Sequence, residues 1–225
     1  MSGKLQEIGQ ELKTVFSGRG STLDTILPPL LFAILQALAG LPIAVSGAVI
    51  LAFAFTLWRI LHHQPKGYAF SGLLLVAVSA GLAWFSRNAN NFFLPDLITS
   101  GLLLLAAVIS NLAGKPLAAW SSHLTRAWPR AWYWLPQIRP AYSEVTWFWA
   151  LFIGLRLALQ VVLYRNAGTL TLTWVNTLLG WPVTILVLVV SYLYGIWRLR
   201  RLGGPSVQEY ENHQPPPWQG QQRGF

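Results

Sequence analysis

Six stretches of the chain are apolar enough to predict membrane-spanning helices. They cover residues 25–40, 43–62, 68–86, 90–114, 147–164 and 174–197. A helix needs about 20 mostly apolar residues to cross the hydrocarbon core of a bilayer, with a range of about 17 to 25. The pattern therefore predicts an all-α fold, a polytopic transmembrane bundle of about six helices.

The fifth stretch carries a charge near its middle. Arg156 lies between long runs of Leu, Ile, Phe and Val, and Gln160 follows one helical turn later on the same face. An arginine at the bilayer centre costs about 2.5 to 3.5 kcal/mol on the insertion scale. The apolar residues offset this cost, but the polar face is expected to turn away from lipid. Such a face indicates a functional site or a structural clamp.

The fourth stretch has a matching polar and small side. Asp96, Ser100, Ala107, Asn111 and Gly114 fall on one face of a helix, and lipid offers that face no hydrogen-bond partner. We expect it to point inward. These residues predict an intramembrane polar cluster, structural or lining a substrate path, that consists of Arg156, Gln160, Asp96, Ser100 and Asn111.

An ion pair inside the membrane follows as a hypothesis. Asp96 is the only one of seven acidic residues at predicted membrane depth. At 1.5 Å of rise per residue, Asp96 lies about 9 Å and Arg156 about 12 Å from the outer ends of their helices. These depths allow a direct pair, and a clamp is favoured over a transport site.

Two further segments are expected at the membrane interface. Residues 1–24 form an amphipathic cytoplasmic segment that either lies on the bilayer or is a solvated helix. Residues 115–145 mix tryptophans with arginines, and Leu117, Trp120, Leu124, Trp128 and Ala131 recur at helical spacing. This pattern is typical of an interfacial helix between spans four and five. A basic and aromatic nucleic-acid surface is the disfavoured alternative, so no nucleic-acid partner is expected.

Three further expectations concern the two ends of the apolar region. The first stretch with Ala37-Leu38-Ala39 resembles a signal peptide, but its long polar lead and the second span directly after it favour a retained span. The sixth stretch is expected to be one continuous helix, with no break in mid-membrane. Residues 202–225 are rich in Gln, Gly and Pro, and this composition predicts a disordered cytoplasmic tail after a six-span domain at 25–201.

Composition and charge agree with a membrane protein. The chain is 54% hydrophobic and only 10% charged, against about 25% charged in soluble domains. Under the positive-inside rule, 13 of the 16 Lys and Arg residues lie inside when both termini are cytoplasmic. The inner residues are Lys4, Lys13, Arg19, Arg59, Lys66, Lys115, Arg126, Arg130, Arg139, Arg198, Arg200, Arg201 and Arg223. A multi-pass protein of a bacterial cytoplasmic membrane is expected.

The sequence shows no pattern that indicates catalysis or a cofactor. No cysteine is present, and His62 and His63 are adjacent, so their side chains point about 100° apart on a helix. No glycine-rich phosphate loop, paired acids or nucleophile with a base at recognisable spacing occurs. We therefore expect no enzyme activity, no metal and no cofactor.

Several short motifs resemble one known family. They are Ala69-Phe70-Ser71-Gly72, Phe92-Phe93-Leu94-Pro95, Tyr142 with Thr146-Trp147-x-Trp149, Arg156-Leu157-Ala158-x-Gln160 with Leu163-Tyr164, and Leu179-Gly180-Trp181-Pro182. Their order over residues 22–201 resembles the bacterial membrane family named domain of unknown function 3159. That family is distantly similar in layout to intracellular septation protein A. Arg156, Gln160, Tyr164 and Trp181 match the family pattern, whereas Asp96 stands where a small residue is expected.

The resemblance implies a multi-pass cytoplasmic-membrane protein without an established activity, and two hypotheses remain. The favoured one is a structural or accessory cell-envelope protein that acts through partners, with the lipid bilayer around it and a homo-oligomer or other membrane proteins as candidates. The alternative is a small carrier or channel for an anion or polar solute that uses Arg156.

Overall fold

The protein is helical wherever its structure is described. A computed structural model describes residues 22–63, 66–222 and 224–225, and this part contains no strand. The helices are α1 (Thr22–Ala39), α2 (Leu41–Leu61), α3 (Lys66–Ser86), a 3₁₀ helix (Ala89–Phe93), α4 (Leu94–Leu112), α5 (Leu117–Arg126), α6 (Arg130–Tyr133), α7 (Arg139–Asn166), α8 (Thr169–Leu179), α9 (Trp181–Leu202) and α10 (Val207–Glu211). The predicted N-terminal amphipathic segment falls almost wholly outside the described residues.

The all-α prediction is confirmed, and four helical segments are long and apolar enough to cross a membrane. They are Leu41–Leu61, Ala89–Leu112, Arg139–Asn166 and Thr169–Leu202. Two of the six predicted spans correspond to shorter apolar helices, Leu27–Ala39 and Phe70–Ser86. The apolar helices therefore occur where the hydropathy pattern predicts them.

The described chain divides into two compact units. The first contains residues 22–97 and 160–181, with α1, α2, α3, the 3₁₀ helix and α8. Its core includes Phe32 stacked on Phe92, with ring centroids 4.1 Å apart. One face of α2 carries a run of small side chains, Ala44, Ala48 and Ala52, and all three are buried, as are Thr56 and Arg59 farther along the helix. Small side chains let helix backbones approach closely in lipid, where no hydrophobic effect drives the association of helices.

The second unit contains residues 98–159 and 182–225 and has an aromatic core. Trp132, Tyr133 and Tyr142 are its largest buried side chains, and Ile138 and Leu199 pack beside them. The rings of Tyr133 and Tyr142 meet edge to face, with centroids 5.1 Å apart. Such edge contacts are favourable because the positive ring edge meets the negative ring face.

The segment between the fourth and fifth apolar stretches differs from the predicted single helix. Helix α5 ends at Arg126, because Ala127 adopts a left-handed conformation with φ 55° and Pro129 follows two residues later. Proline disfavours helical geometry in the residue before it. Leu124, expected on the apolar face, is 80% exposed, whereas Ala119 and Ser122 are buried.

The sixth apolar stretch also differs from its prediction. It is interrupted between Leu179 and Trp181, where Gly180 leaves helical geometry with φ −72° and ψ −116°. A Cβ atom at position 180 would lie 2.7 Å from the carbonyl oxygen of Asn176. Pro182 follows two residues after Gly180 and has no amide hydrogen to continue the helical ladder. Glycine and proline together thus account for the break.

The structure likewise differs from the predicted disorder of residues 202–225. Helix α10 begins with a capping box in which Ser206 and Glu209 bond each other's main-chain N–H. Phe225 stacks on Tyr142 with ring centroids 4.3 Å apart. Composition favoured disorder because the segment has few apolar residues, but a buried carboxylate and one aromatic ring hold it in place.

Candidate functional site

Polar side chains from four segments meet in the first unit, and we call this group the polar cluster. It comprises Asn90 and Asn91 on the 3₁₀ helix, Asp96 in the first turn of α4, Gln160 and Tyr164 on α7, and Thr169 and Asn176 on α8. The side chain of Asn88 caps the 3₁₀ helix by accepting the amide hydrogen of Asn90 at 3.0 Å. Gln160 and Tyr164 lie one turn apart, so they share a face of α7.

Gln160 links three helices. Its Nε2 donates to Oδ2 of Asp96 at 2.9 Å and to Oδ1 of Asn176 at 2.7 Å. The side chain is 1% exposed, and its Oε1 is buried with no hydrogen-bond partner among the described residues. A buried carbonyl oxygen without a donor is unfavourable, so this atom is an open acceptor within the linkage.

Asn90 and Asn91 hold the turn between α7 and α8. Nδ2 of Asn90 donates to the main-chain oxygens of Tyr164 and Ala167, each at 3.1 Å. Oδ1 of Asn90 accepts the hydroxyl of Thr169 at 2.9 Å. The hydroxyl of Tyr164 donates to Oδ1 of Asn91. The two bonds from Asn90 Nδ2 satisfy carbonyl groups at and just after the end of α7 that would otherwise lack partners.

The side chains of the polar cluster differ in how far they are exposed. Gln160 is fully buried, Asn90, Asn91, Tyr164 and Asn176 are half-buried, and Asp96 is exposed. Amides and hydroxyls dominate, with one carboxylate at the edge. Chemically, this set can hold helices together through mutual hydrogen bonds, or present amide groups to a polar solute.

The structure separates the predicted site residues into two groups. Asp96 and Gln160 are in the first unit and bond each other directly. Ser100, Asn111 and Arg156 belong to the second unit, where Asn111 Nδ2 donates to the main-chain oxygen of Ser143 at 3.1 Å. Arg156 is half-buried, with its Nε atom fully shielded. The ion pair between Asp96 and Arg156 stays a prediction.

Sequence reasoning missed most of the cluster. Asn90, Thr169 and Asn176 were not among the predicted site residues, although Asn90 begins the fourth apolar stretch and Asn176 lies within the sixth. Tyr164 was noted only through the family pattern. Their joint role depends on the turn at Ala167, which brings α8 back toward the 3₁₀ helix.

Ionisable groups of the second unit have different roles. The carboxylate of Glu144 accepts two bonds from Arg198, each at 2.7 Å. Burial raises the pKa of Tyr133, whose hydroxyl donates to Oγ of Ser122 at 3.1 Å. Within residues 22–63, 66–222 and 224–225, no three His, Cys, Asp or Glu side chains lie close enough to hold a metal ion.

Comparison with known families decides the chain's relationship. The family described as "protein of unknown function (DUF3159)" matches residues 16–200. The chain belongs to this family. The matched region of DUF3159 includes the whole polar cluster, Arg156 and the Gly180 break, and the family description names no activity. No curated protein and no solved structure matches the chain. The likeness in layout to intracellular septation protein A stays a prediction.

Proposed function

We propose that the protein is a six-span structural or accessory protein of the bacterial cytoplasmic membrane that works through partner membrane proteins or a second copy, and not as an enzyme. The observation that carries this proposal is the linkage of Asp96, Asn176 and Asn90 to residues of α7. The cluster's polar groups are largely used by one another. Such mutual hydrogen bonding supports a clamp between helices.

The hydrogen bonds of the polar cluster connect separate helices. Gln160 joins α7 to α4 and α8, and Asn90 joins the 3₁₀ helix to the end of α7 and to α8. In a bilayer no hydrophobic effect pulls helices together, so packing and interhelical hydrogen bonds take its place. A membrane scaffold needs such fixed helix positions to present a constant surface to partners.

The topology can be tested with single cysteines, because the chain has none. Asn166 at the end of α7 is predicted outside, and Asn212 after α10 is predicted inside; both are exposed. A membrane-impermeant maleimide should label Asn166→Cys in intact cells and Asn212→Cys only after permeabilisation. The reverse labelling pattern would refute the orientation, and labelling of both in intact cells would refute the parity of spans.

The role through partners is tested by co-purification in a mild detergent. The proposal expects a defined complex, with either a second copy or another membrane protein in a constant ratio. Asn90→Ala, which loosens the clamp, should lower the yield of that complex relative to Asn88→Ala, which affects only the cap. A strictly monomeric protein with no co-purifying component would contradict the proposal.

A second candidate function is a small carrier or channel for an anion or polar solute that uses Arg156. Two observations favour it: the helix interruption at Gly180 and the open acceptor Oε1 of Gln160. Interrupted helices with free backbone groups are common at transport sites. Flux of anions into proteoliposomes should then disappear in Arg156→Leu and persist in Arg165→Leu, an exposed arginine on the same helix. Selective flux that behaves this way would replace the structural proposal.

A further inference from the structure

Residues 203–222 and 224–225 pack against the helices of their own unit and insert one aromatic ring. Phe225 stacks on Tyr142 with an interplanar angle of 11° and a centroid distance of 4.3 Å. Its main-chain oxygen accepts a hydrogen bond from Nε of Arg126 at 3.1 Å. The pocket thus makes two different contacts with the same residue, one apolar and one polar.

The walls of this pocket match the ring in shape. A Cβ atom at Gly195 on α9 would lie 2.4 Å from Cδ2 of Phe225, so this position accommodates the ring only as glycine. Gly224 has φ +79°, and a Cβ there would lie 2.9 Å from Trp128. The guanidinium of Arg126 lies 5.1 Å from the ring centre of Trp128, which fixes its position over the indole.

The rest of the segment is held at points away from the pocket. The carboxylate of Glu209 accepts the amide hydrogens of Ser206 and Gln219 at 2.7 Å and of Gly220 at 3.2 Å. Nε1 of the buried Trp132 donates to the main-chain oxygen of Pro205 at 2.9 Å. The segment therefore stays near the unit even when Phe225 leaves its pocket.

We propose that Tyr142, Gly195, Arg126 and Trp128 form a peptide-binding pocket for a phenylalanine side chain and its main-chain oxygen, which Phe225 occupies within the same chain. The pocket recognises a ring by stacking and a carbonyl by the Arg126 hydrogen bond, and it requires glycine beside the ring because Trp128 leaves no space for a Cβ there. When Phe225 is absent, a Gly-Phe-bearing segment from outside takes its place. This inference does not depend on the proposed function.

The pocket can be tested in the full chain with a peptide supplied from outside. The probe is an acetylated and amidated peptide of residues 217–225, and its counterpart with Ala at the last position is the negative probe. The Phe225→Ala protein should bind the probe at least tenfold more tightly than wild type, because the tethered ring competes in wild type. Adding Gly195→Ala should abolish this binding. Gly81→Ala is the matched control, since a Cβ at Gly81 meets nothing within 4 Å.

Three outcomes would overturn the proposal: no probe binding to Phe225→Ala, equal binding of the alanine peptide, or unchanged binding after Gly195→Ala. A second measurement keeps an aromatic ring at position 225, so the pocket is not emptied. 4-Fluorophenylalanine at position 225 should give a ¹⁹F resonance shifted by the ring current of Tyr142. Gly195→Ala should return this resonance to the position seen in the free peptide, and Gly81→Ala should not. A resonance already at the free-peptide position in the otherwise unchanged chain would refute the stacked pocket.

Discussion

Replacing Gln160 by methionine tests whether the polar cluster is a clamp. The two side chains are similar in volume, so the substitution removes hydrogen bonds without opening a large cavity. It deletes the bonds from Nε2 to Asp96 Oδ2 at 2.9 Å and to Asn176 Oδ1 at 2.7 Å. It also deletes Oε1, which has no partner among the described residues.

The expected cost follows from these bonds. Interhelical hydrogen bonds in a membrane protein average about 0.6 kcal/mol and reach about 1.7 kcal/mol. The bond to the neutral Asn176 is expected near the average, and the bond to the carboxylate of Asp96 near the upper value. Removing the unpartnered Oε1 offsets part of the loss. The free energy of unfolding should fall by about 2 kcal/mol, roughly a thirtyfold change in the unfolding equilibrium.

Unfolding in mixed micelles with increasing SDS, followed by tryptophan fluorescence, measures this change. Gln36→Met is the matched control, because Oε1 of Gln36 is also buried without a described partner. The control should change stability by less than about 0.5 kcal/mol. A double-mutant cycle of Gln160→Met with Asn176→Ala should give a coupling energy near 0.6 kcal/mol. Equal stability losses at positions 160 and 36, or zero coupling, would refute the clamp.

Three further predictions concern other contacts. Asn90→Ala should lower the free energy of unfolding by about 1 to 3 kcal/mol, and Asn90→Asp at least as much, since a carboxylate would face two carbonyl oxygens; recovery in the aspartate variant would contradict the geometry. The amide bonds from Ser206, Gln219 and Gly220 lower the pKa of Glu209 from 4.5 to about 2. Because the folded pKa is depressed, its stabilisation is complete above pH 4.5 and declines as pH falls toward 2. Hydrogen exchange at Gly220, corrected for intrinsic rate, should lose protection in that window in wild type, and Glu209→Gln should show no such dependence. Arg198→Lys loses the two-pronged bond to Glu144 but should leave the unfolding midpoint close to that of wild type, because both side chains are partly exposed; a clear loss of stability in the same unfolding assay would contradict this reasoning.

The sequence alone determined where the apolar helices lie and what kind of environment they suit. Apolar stretches and their polar ends act locally, because insertion energies add residue by residue along the chain. The small residues Ala44, Ala48 and Ala52 recur every four positions and are buried on one face of α2, and such helical periodicity is a local property. Membership of DUF3159 also followed from motifs in order.

Tertiary structure decided which polar groups meet. Gln160 and Asp96 were expected to face inward, but the sequence contained nothing that paired Gln160 with Asn176 or Asn90 with the end of α7. The same limit explains the difference at residues 202–225, where few apolar residues suggested disorder. There the ring of Phe225 fits between Tyr142 and Gly195, and the carboxylate of Glu209 accepts three amide hydrogens. The contacts of Phe225 with Tyr142 and of Asn90 with the end of α7 join residues far apart in the chain, so composition and periodicity, which are local, do not reveal them.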